Sequence, residues 1–166
     1  YAVFCLKKKK EMVVTAQKRE PSLQDVPIEV SALSGDALAD AGLTAYHAVK
    51  KAVPLLYPGS TCVVMGAGGL GHIGIQCLRA MSATRIVVLD SNEAALALTG
   101  DWGADETVVV DGRHVDRVLE LTDGKGAEVV LDFVGERGAE RDSWTMTRRA
   151  GSDFMIGYGG TTDFPT

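Results

Sequence analysis

The sequence predicts an α/β protein on a doubly wound parallel sheet, incomplete at about five strands. Three observations carry that expectation. Short Val- and Ile-rich runs recur from residue 36 onward, stretches with helical apolar spacing lie between them, and a glycine cluster joins the first run to the helix after it. Runs that are apolar at consecutive positions suit strands buried on both faces, as in a parallel sheet.

In chain order, Asp36 to Lys51 reads as a helix, with Ser34 or Asp36 placed to cap its start. Strands are expected over Thr61 to Met65, Arg85 to Asp90, Glu106 to Val110, Val129 to Val134 and Phe154 to Tyr158. Ile73, Cys77, Leu78 and Met81 share one helical face after the first strand; Val115, Val118, Leu119 and Thr122 share another before the fourth. Gly59, Gly103, Gly126 and Gly151 stand before strands, where a helix end or tight turn favours glycine. The first 35 residues carry two prolines and no helix–strand rhythm. They read as a strand and connector of another domain, and residues 36–166 as a domain of their own.

Charge and cysteine content exclude several classes. A net charge of -5 leaves no basic face to track phosphates, so nucleic acid is not the expected partner. Lys7 to Lys10, with Lys18 and Arg19, form one local basic stretch, which reads as a solvated strand end or turn. No apolar run approaches membrane-spanning length, and Tyr1 to Leu6 is too short for a secretory signal. Cys5, Cys62 and Cys77 are far apart, without Cys-x-x-Cys. They read as buried thiols in a reducing cytoplasm.

Gly66, Gly68 and Gly71 fit G-x-G-x-x-G, with Gly69 and Gly74 beside them, between an expected strand and an expected helix. In such a turn Gly66 allows the sharp bend, Gly68 the approach of a pyrophosphate, and Gly71 close packing of helix on sheet. The phosphates then meet free N–H groups at the positive end of the helix. Asp90 ends the next strand about twenty residues on, where a carboxylate accepts hydrogen bonds from ribose hydroxyls. A purely structural turn leaves Asp90 without a role. The carboxylate suits a free 2′-hydroxyl and repels a 2′-phosphate, and Ser91, Asn92 and Glu93 provide no arginine, so NAD is favoured over NADP.

The stretches "DAGLTAYHAV", "LLYPGSTCVVMGAGGLGHIGIQCLRAM", "IVVLD", "GADETV" and "LDFVG", in this order and spacing, closely resemble zinc-dependent medium-chain alcohol dehydrogenases. The resemblance spans roughly Leu33 to Gly160. It implies a Rossmann cofactor domain preceded by a remnant of a GroES-like catalytic domain, in an enzyme moving hydride between an alcohol, ketone or aldehyde and NAD, with a catalytic zinc. It implies that Gly69 and Leu70 present N–H groups to the pyrophosphate, that Asp90 holds the adenosine ribose, and that Phe133, Val134, Gly135, Ile156 and Gly157 line the nicotinamide half. Thr44 would pack against the nicotinamide. Asp40 stands where the family places a zinc ligand, often Cys and in one subgroup Asp; read without the resemblance, it is an exposed or capping carboxylate. His47 has no ligand role in the family.

The family's other zinc ligands, its proton relay and its four-cysteine lobe would precede Tyr1, and its sixth strand would follow Thr166. The chain is therefore expected to be part of a homo-oligomeric dehydrogenase, a dimer or tetramer. Ala95 replaces a basic residue often found five positions after the ribose carboxylate. Competing readings are a zinc-independent NADPH quinone reductase, which Asp90 and "GAGGLG" oppose, and a stand-alone dinucleotide-sensing module, which has no use for the "LADAGLTAYHA" helix. A methyltransferase shares glycine-rich turns but lacks the phosphate-facing "GGLG".

Overall fold

The computed structural model describes residues 35–157 and, before them, two short antiparallel strands, β1 (Lys7–Lys8) and β2 (Glu11–Met12). Apart from these strands, the reading of residues 1–35 as another domain's remnant lies outside the described residues, as do the cap at Ser34 and Cys5; the helix begins at Gly35, so Asp36 lies inside it rather than capping it. Five parallel strands form the main sheet: β3 (Thr61–Met65), β4 (Arg85–Asp90), β5 (Glu106–Val109), β6 (Ala127–Asp132) and β7 (Thr147–Met155). Their order is β5-β4-β3-β6-β7, so the chain works outward from β3 to one edge and then crosses to the other side. This is the doubly wound α/β fold that the sequence predicts.

β3 shows why the apolar runs belong in the centre. All five of its residues are buried. Cys62 and Val64 enter the core beneath α1 (Gly35–Ala52), α2 (Gly71–Met81) and α3 (Glu93–Trp102), with Val49, Ile75, Leu78 and Trp102. Val63 and Met65 point the other way, into the core under α4 (His114–Leu121) and α5 (Ala139–Met146), with Val118 and Met146. Alternate residues face opposite sides of a strand, so helices on both sides demand apolar residues at every position. Cys62 is buried and Cys77 half-buried, both as free thiols. Burial pushes both thiols up, and at the fully buried Cys62 the repulsion of Glu128 adds to it.

Five strand boundaries differ from expectation, one of them the end of β7, at Met155 rather than Tyr158. β5 ends one residue early, at Val109. β6 spans Ala127–Asp132, not Val129 to Val134, because Asp132 turns the chain: its Oδ1 accepts from the N–H groups of Val134 (2.8 Å) and Gly135 (3.0 Å). β7 begins at Thr147, well before Phe154, and Gly151 lies inside it rather than before it. It is an edge strand with one neighbour and no fully buried residue, so its polar first half leaves no apolar signature. The left-handed residue there is Ala150 (φ 62°), where pairing jumps from Ala127↔Thr147 to Val129↔Ser152. On α2 the buried face is Gly71, Gly74, Ile75 and Leu78, whereas Ile73 is only half-buried. The glycines allow that face to press inward, and a count of large apolar residues overlooks them.

The two ends of the sheet treat carboxylates differently. At the amino end Glu128 accepts from the Thr61 N–H (2.7 Å) and the Tyr57 hydroxyl (3.1 Å), with the Arg148 guanidinium 3.3 Å away. Burial would raise its carboxyl, but these bonds outweigh it and hold Glu128 below its ordinary value. At the carboxyl end Asp132 is 0% exposed and Glu140 8%, and α5 covers them with the half-buried Asp153. Asp132 Oδ2, Glu140 Oε2 and Asp153 Oδ1 are buried without a hydrogen-bond partner among the described residues. Burial pushes Asp132 and Asp153 above the ordinary range, and the repulsion of Glu140 on Asp132, and of Asp132 on Asp153, adds to it. The bond from Ser143 Oγ to Asp153 (2.9 Å) only partly opposes this.

A carboxyl with a raised folded-state value supports the fold fully below its unfolded value of about 4, and that support is lost as pH rises through the folded value. Asp153→Asn, which can still accept from Ser143, is therefore expected to unfold at a higher temperature than wild type at pH 7. The two should unfold together near pH 4, as followed by circular dichroism. A difference that is the same at both pH values, or that grows toward acid, would contradict the assignment of these buried acids.

Candidate functional site

Strand order reverses between β3 and β6, and an open α/β sheet offers its ligand crevice outside the strand carboxyl ends at such a point. The glycine turn sits there. Gly66 leaves β3 with φ +91° and donates to the Leu89 carbonyl of β4 (2.7 Å). A Cβ on Gly71 would lie 1.8 Å from the Gly66 carbonyl oxygen, so α2 starts in direct contact with the strand end. A Cβ on Gly74 would lie 2.6 Å from the Phe133 ring, which places the residue after β6 under the same helix. Gly68 and Gly69 differ: both are exposed, and an added Cβ meets nothing. Among the described residues the N–H groups of Gly69 and Leu70 reach no backbone acceptor.

Asp90 ends β4 beside this turn. Its Oδ2 accepts from the Ala67 N–H (2.7 Å) and its Oδ1 from the Asn92 N–H (2.8 Å). The expectation that a structural turn leaves Asp90 idle is therefore corrected: the carboxylate staples the glycine turn to β4. Each oxygen accepts one bond and retains a second lone pair, so the staple also suits a diol. Asn92, two residues on, caps α3 by accepting from the Ala94 N–H (3.0 Å) and the Ala95 N–H (3.4 Å).

The expected nicotinamide-side residues lie just beyond the ends of β6 and β7. Val134 touches the turn, since a Cβ on Gly66 would lie 2.9 Å from Val134 Cγ2. Gly135 and Gly157 meet backbone to backbone; a Cβ on Gly135 would be 2.3 Å from the Gly157 carbonyl carbon. The Asp132 carbonyl accepts from Ile156 N–H (2.7 Å) and Gly157 N–H (2.9 Å). A cleft of about 850 Å³ follows, lined by Thr44, His47, Phe154 and Ile156 among others. Asp90, the turn, Val134, Gly157, Ile156 and Thr44 thus succeed one another along one edge of the sheet.

Asp40 is exposed, on the helix that carries Thr44 and one turn before it, and is not among the residues lining that cleft. Among the described residues no three His, Cys, Asp or Glu groups converge to hold a metal. A catalytic zinc needs three protein ligands, so these residues alone do not fit one. They fit a dinucleotide: the turn has free N–H donors at a helix start and open space above two glycines, with a carboxylate alongside.

Two residues of this edge escaped the sequence reading. Asp132 fixes both strand ends, and the signal was present as a carboxylate closing an apolar run, "VVLD". His72 follows the last turn glycine, and its Nδ1 is 3.1 Å from the Gly68 carbonyl oxygen. A lone histidine in an expected helix gave no such signal.

Known proteins share this arrangement. An alcohol dehydrogenase from the hyperthermophilic archaeon Aeropyrum pernix superposes with a TM-score of 0.75 at 44% identity, over 77% of this chain and 37% of that one. One from Thermus sp. ATN1 gives 0.68 at 26%, over 78% and 37%. In sequence, the NAD-dependent alcohol dehydrogenase of Sulfolobus acidocaldarius is 32% identical over 79% of this chain and 38% of its own length. That of Sulfurisphaera tokodaii is 39% identical over 63% and 30%. The chain thus spans less than two fifths of each relative. Among the described residues no helix is long and apolar enough to cross a membrane. Residues 69–166, more than half of the sequence and running from the turn through both strand ends, match the family described as zinc-binding dehydrogenase, and the chain belongs to that family.

Proposed function

We propose that this chain is the NAD-binding part of a zinc-assisted alcohol dehydrogenase that interconverts a small alcohol and its ketone or aldehyde in the cytoplasm, as a homo-oligomer. The carrying observation is the unbroken line from Asp90 through the glycine turn to Ile156 and Thr44, which has the sequence of chemistries a dinucleotide needs. Asp90 takes the adenosine ribose hydroxyls. Gly66, Gly68 and Gly71 shape the turn, and the N–H groups of Gly69 and Leu70 face the diphosphate with the α2 dipole behind them. Phe133, Val134, Gly135, Ile156 and Gly157 form the floor for the nicotinamide half, and Thr44 closes it from α1. When bound, the nicotinamide supplies hydride chemistry; the residues here orient it. The relatives' names support both the cofactor and the reaction class. Asp40 is the one residue of this chain assigned to zinc. The remaining ligands fall to sequence of the kind that makes the relatives longer, and no step is assigned through the metal.

NAD(H) is expected to bind at least about tenfold more tightly than NADP(H), because a 2′-phosphate meets the Asp90 carboxylate. A charge-assisted hydrogen bond is worth about 2 kcal/mol, so Asp90→Ala should weaken NAD(H) by roughly tenfold or more and bring the two cofactors close together. Isothermal titration reads both numbers, and equal wild-type affinities would defeat the reading.

Metal analysis after dialysis against a weak chelator addresses Asp40. This chain alone should retain no stoichiometric zinc, whereas a longer protein containing it should retain zinc and lose both metal and turnover on Asp40→Ala. Full activity in that variant would make the carboxylate merely structural.

A further inference from the structure

His72 lies in the first turn of α2, directly after the last glycine of the turn. Its Nδ1 is 3.1 Å from the Gly68 carbonyl oxygen, which also accepts from the His72 backbone N–H at 3.0 Å. A carbonyl can only accept, so the imidazole carries its proton on Nδ1. Its ring packs against Trp102 at the end of α3, centroids 5.6 Å apart and planes tilted by 55°. The imidazole is half-buried, and burial pushes its pKa down, partly opposed by the Gly68 and Gly69 backbone. At neutral pH the ring is therefore neutral and held on both sides.

Beyond this main-chain bond and the imidazole, the Gly68–Gly69 peptide has no side-chain support. Neither glycine has a side chain, and a Cβ on either would meet nothing, so no side-chain packing restrains this peptide. A trans peptide points its carbonyl and the next N–H in opposite directions. Pinning the Gly68 carbonyl inward therefore points the Gly69 N–H outward, to the side where a diphosphate would meet α2. We propose that His72 is a positioning residue for the diphosphate: through Nδ1–H it fixes the peptide whose N–H binds the anion, with Trp102 as its backstop. This rests on the dinucleotide reading above. It predicts an effect on phosphate recognition and none on the ribose contact at Asp90.

The test is titration of ADP and of adenosine into the 166-residue chain, as wild type and as His72→Ala, His72→Asn and His72→Gln. Loss of one hydrogen bond corresponds to about fivefold, so His72→Ala should bind ADP about fivefold more weakly and adenosine as wild type does. His72→Asn places an amide N–H where Nδ1 stood and should restore most of the ADP affinity. His72→Gln, whose donor lies one carbon too far, should not. If the alanine variant fails to fold, the contrast between asparagine and glutamine carries the same information. Unchanged ADP affinity, an equal loss for adenosine, or no difference between asparagine and glutamine would overturn the role of His72. Wild type binding neither ligand would overturn the dinucleotide reading, and this inference with it.

Discussion

Four backbone N–H groups from two strand ends converge on Asp132. Its carboxylate takes Val134 and Gly135 from its own strand, and its carbonyl takes Ile156 and Gly157 from the neighbour. Four of the five residues expected to floor the nicotinamide half are tied to that one residue; the fifth, Phe133, donates its N–H to the Met65 carbonyl (3.0 Å). The arrangement is costly, because the carboxylate is fully buried, its second oxygen has no partner among the described residues, and two further acids lie within electrostatic reach. A buried carboxylate that could be exchanged for an apolar side chain would improve packing. Its backbone bonds supply a reason to keep it.

Glycine does the complementary work where no side chain fits. At the turn, Gly71 lets a helix begin in contact with the strand it follows. Across β6 and β7, Gly135 and Gly157 let two backbones meet at distances no Cβ could share. Gly68 and Gly69 work by the opposite logic, with open space around them. Close approach fixes the frame and openness admits the ligand, and both kinds occur within six residues of the turn. The opposite end of the sheet carries a paired acid, Glu128, held by the Thr61 N–H, the Tyr57 hydroxyl and the Arg148 guanidinium. The acids without a partner, Asp132, Glu140 and Asp153, gather instead where α5 packs on β6 and β7.

The sequence disclosed the central sheet well, because β3, β4 and β6 are covered on both faces and so are apolar through their middles. The glycine turn and Asp90 were legible for a similar reason: each position has a steric or charge requirement that few residue types meet. β7 was legible only in its second half. An edge strand with partial cover needs no continuous apolar run, and its bulge places Ala150, not a glycine, in the left-handed region. The inner face of α2 was misread because its glycines, not its largest side chains, mark the contact. The roles of Asp132 and His72 depend on backbone partners that only the folded chain brings near, although His72 and Gly68 are neighbours in sequence. The domain reading of the first 35 residues rests on their prolines and missing helix–strand rhythm, and the zinc role of Asp40 on resemblance.

The crossing of the chain from β5 back to β6 has a consequence for how the protein assembles. The turn, Asp90 and α2 are joined by contacts between residues close in sequence, and β3 and β4 pair across a single helix. β6 must instead find β3 after the chain has traversed two further helices and a strand, with Cys62 paired to Val129. Contacts between distant residues form late, because loop closure precedes any gain from them. The part of the edge from Asp90 to the turn can therefore form early, whereas the part beyond β6 and β7 exists only once both halves of the sheet have joined. On the proposed reading, a chain released slowly from a ribosome would complete its adenosine contacts before the floor for the nicotinamide.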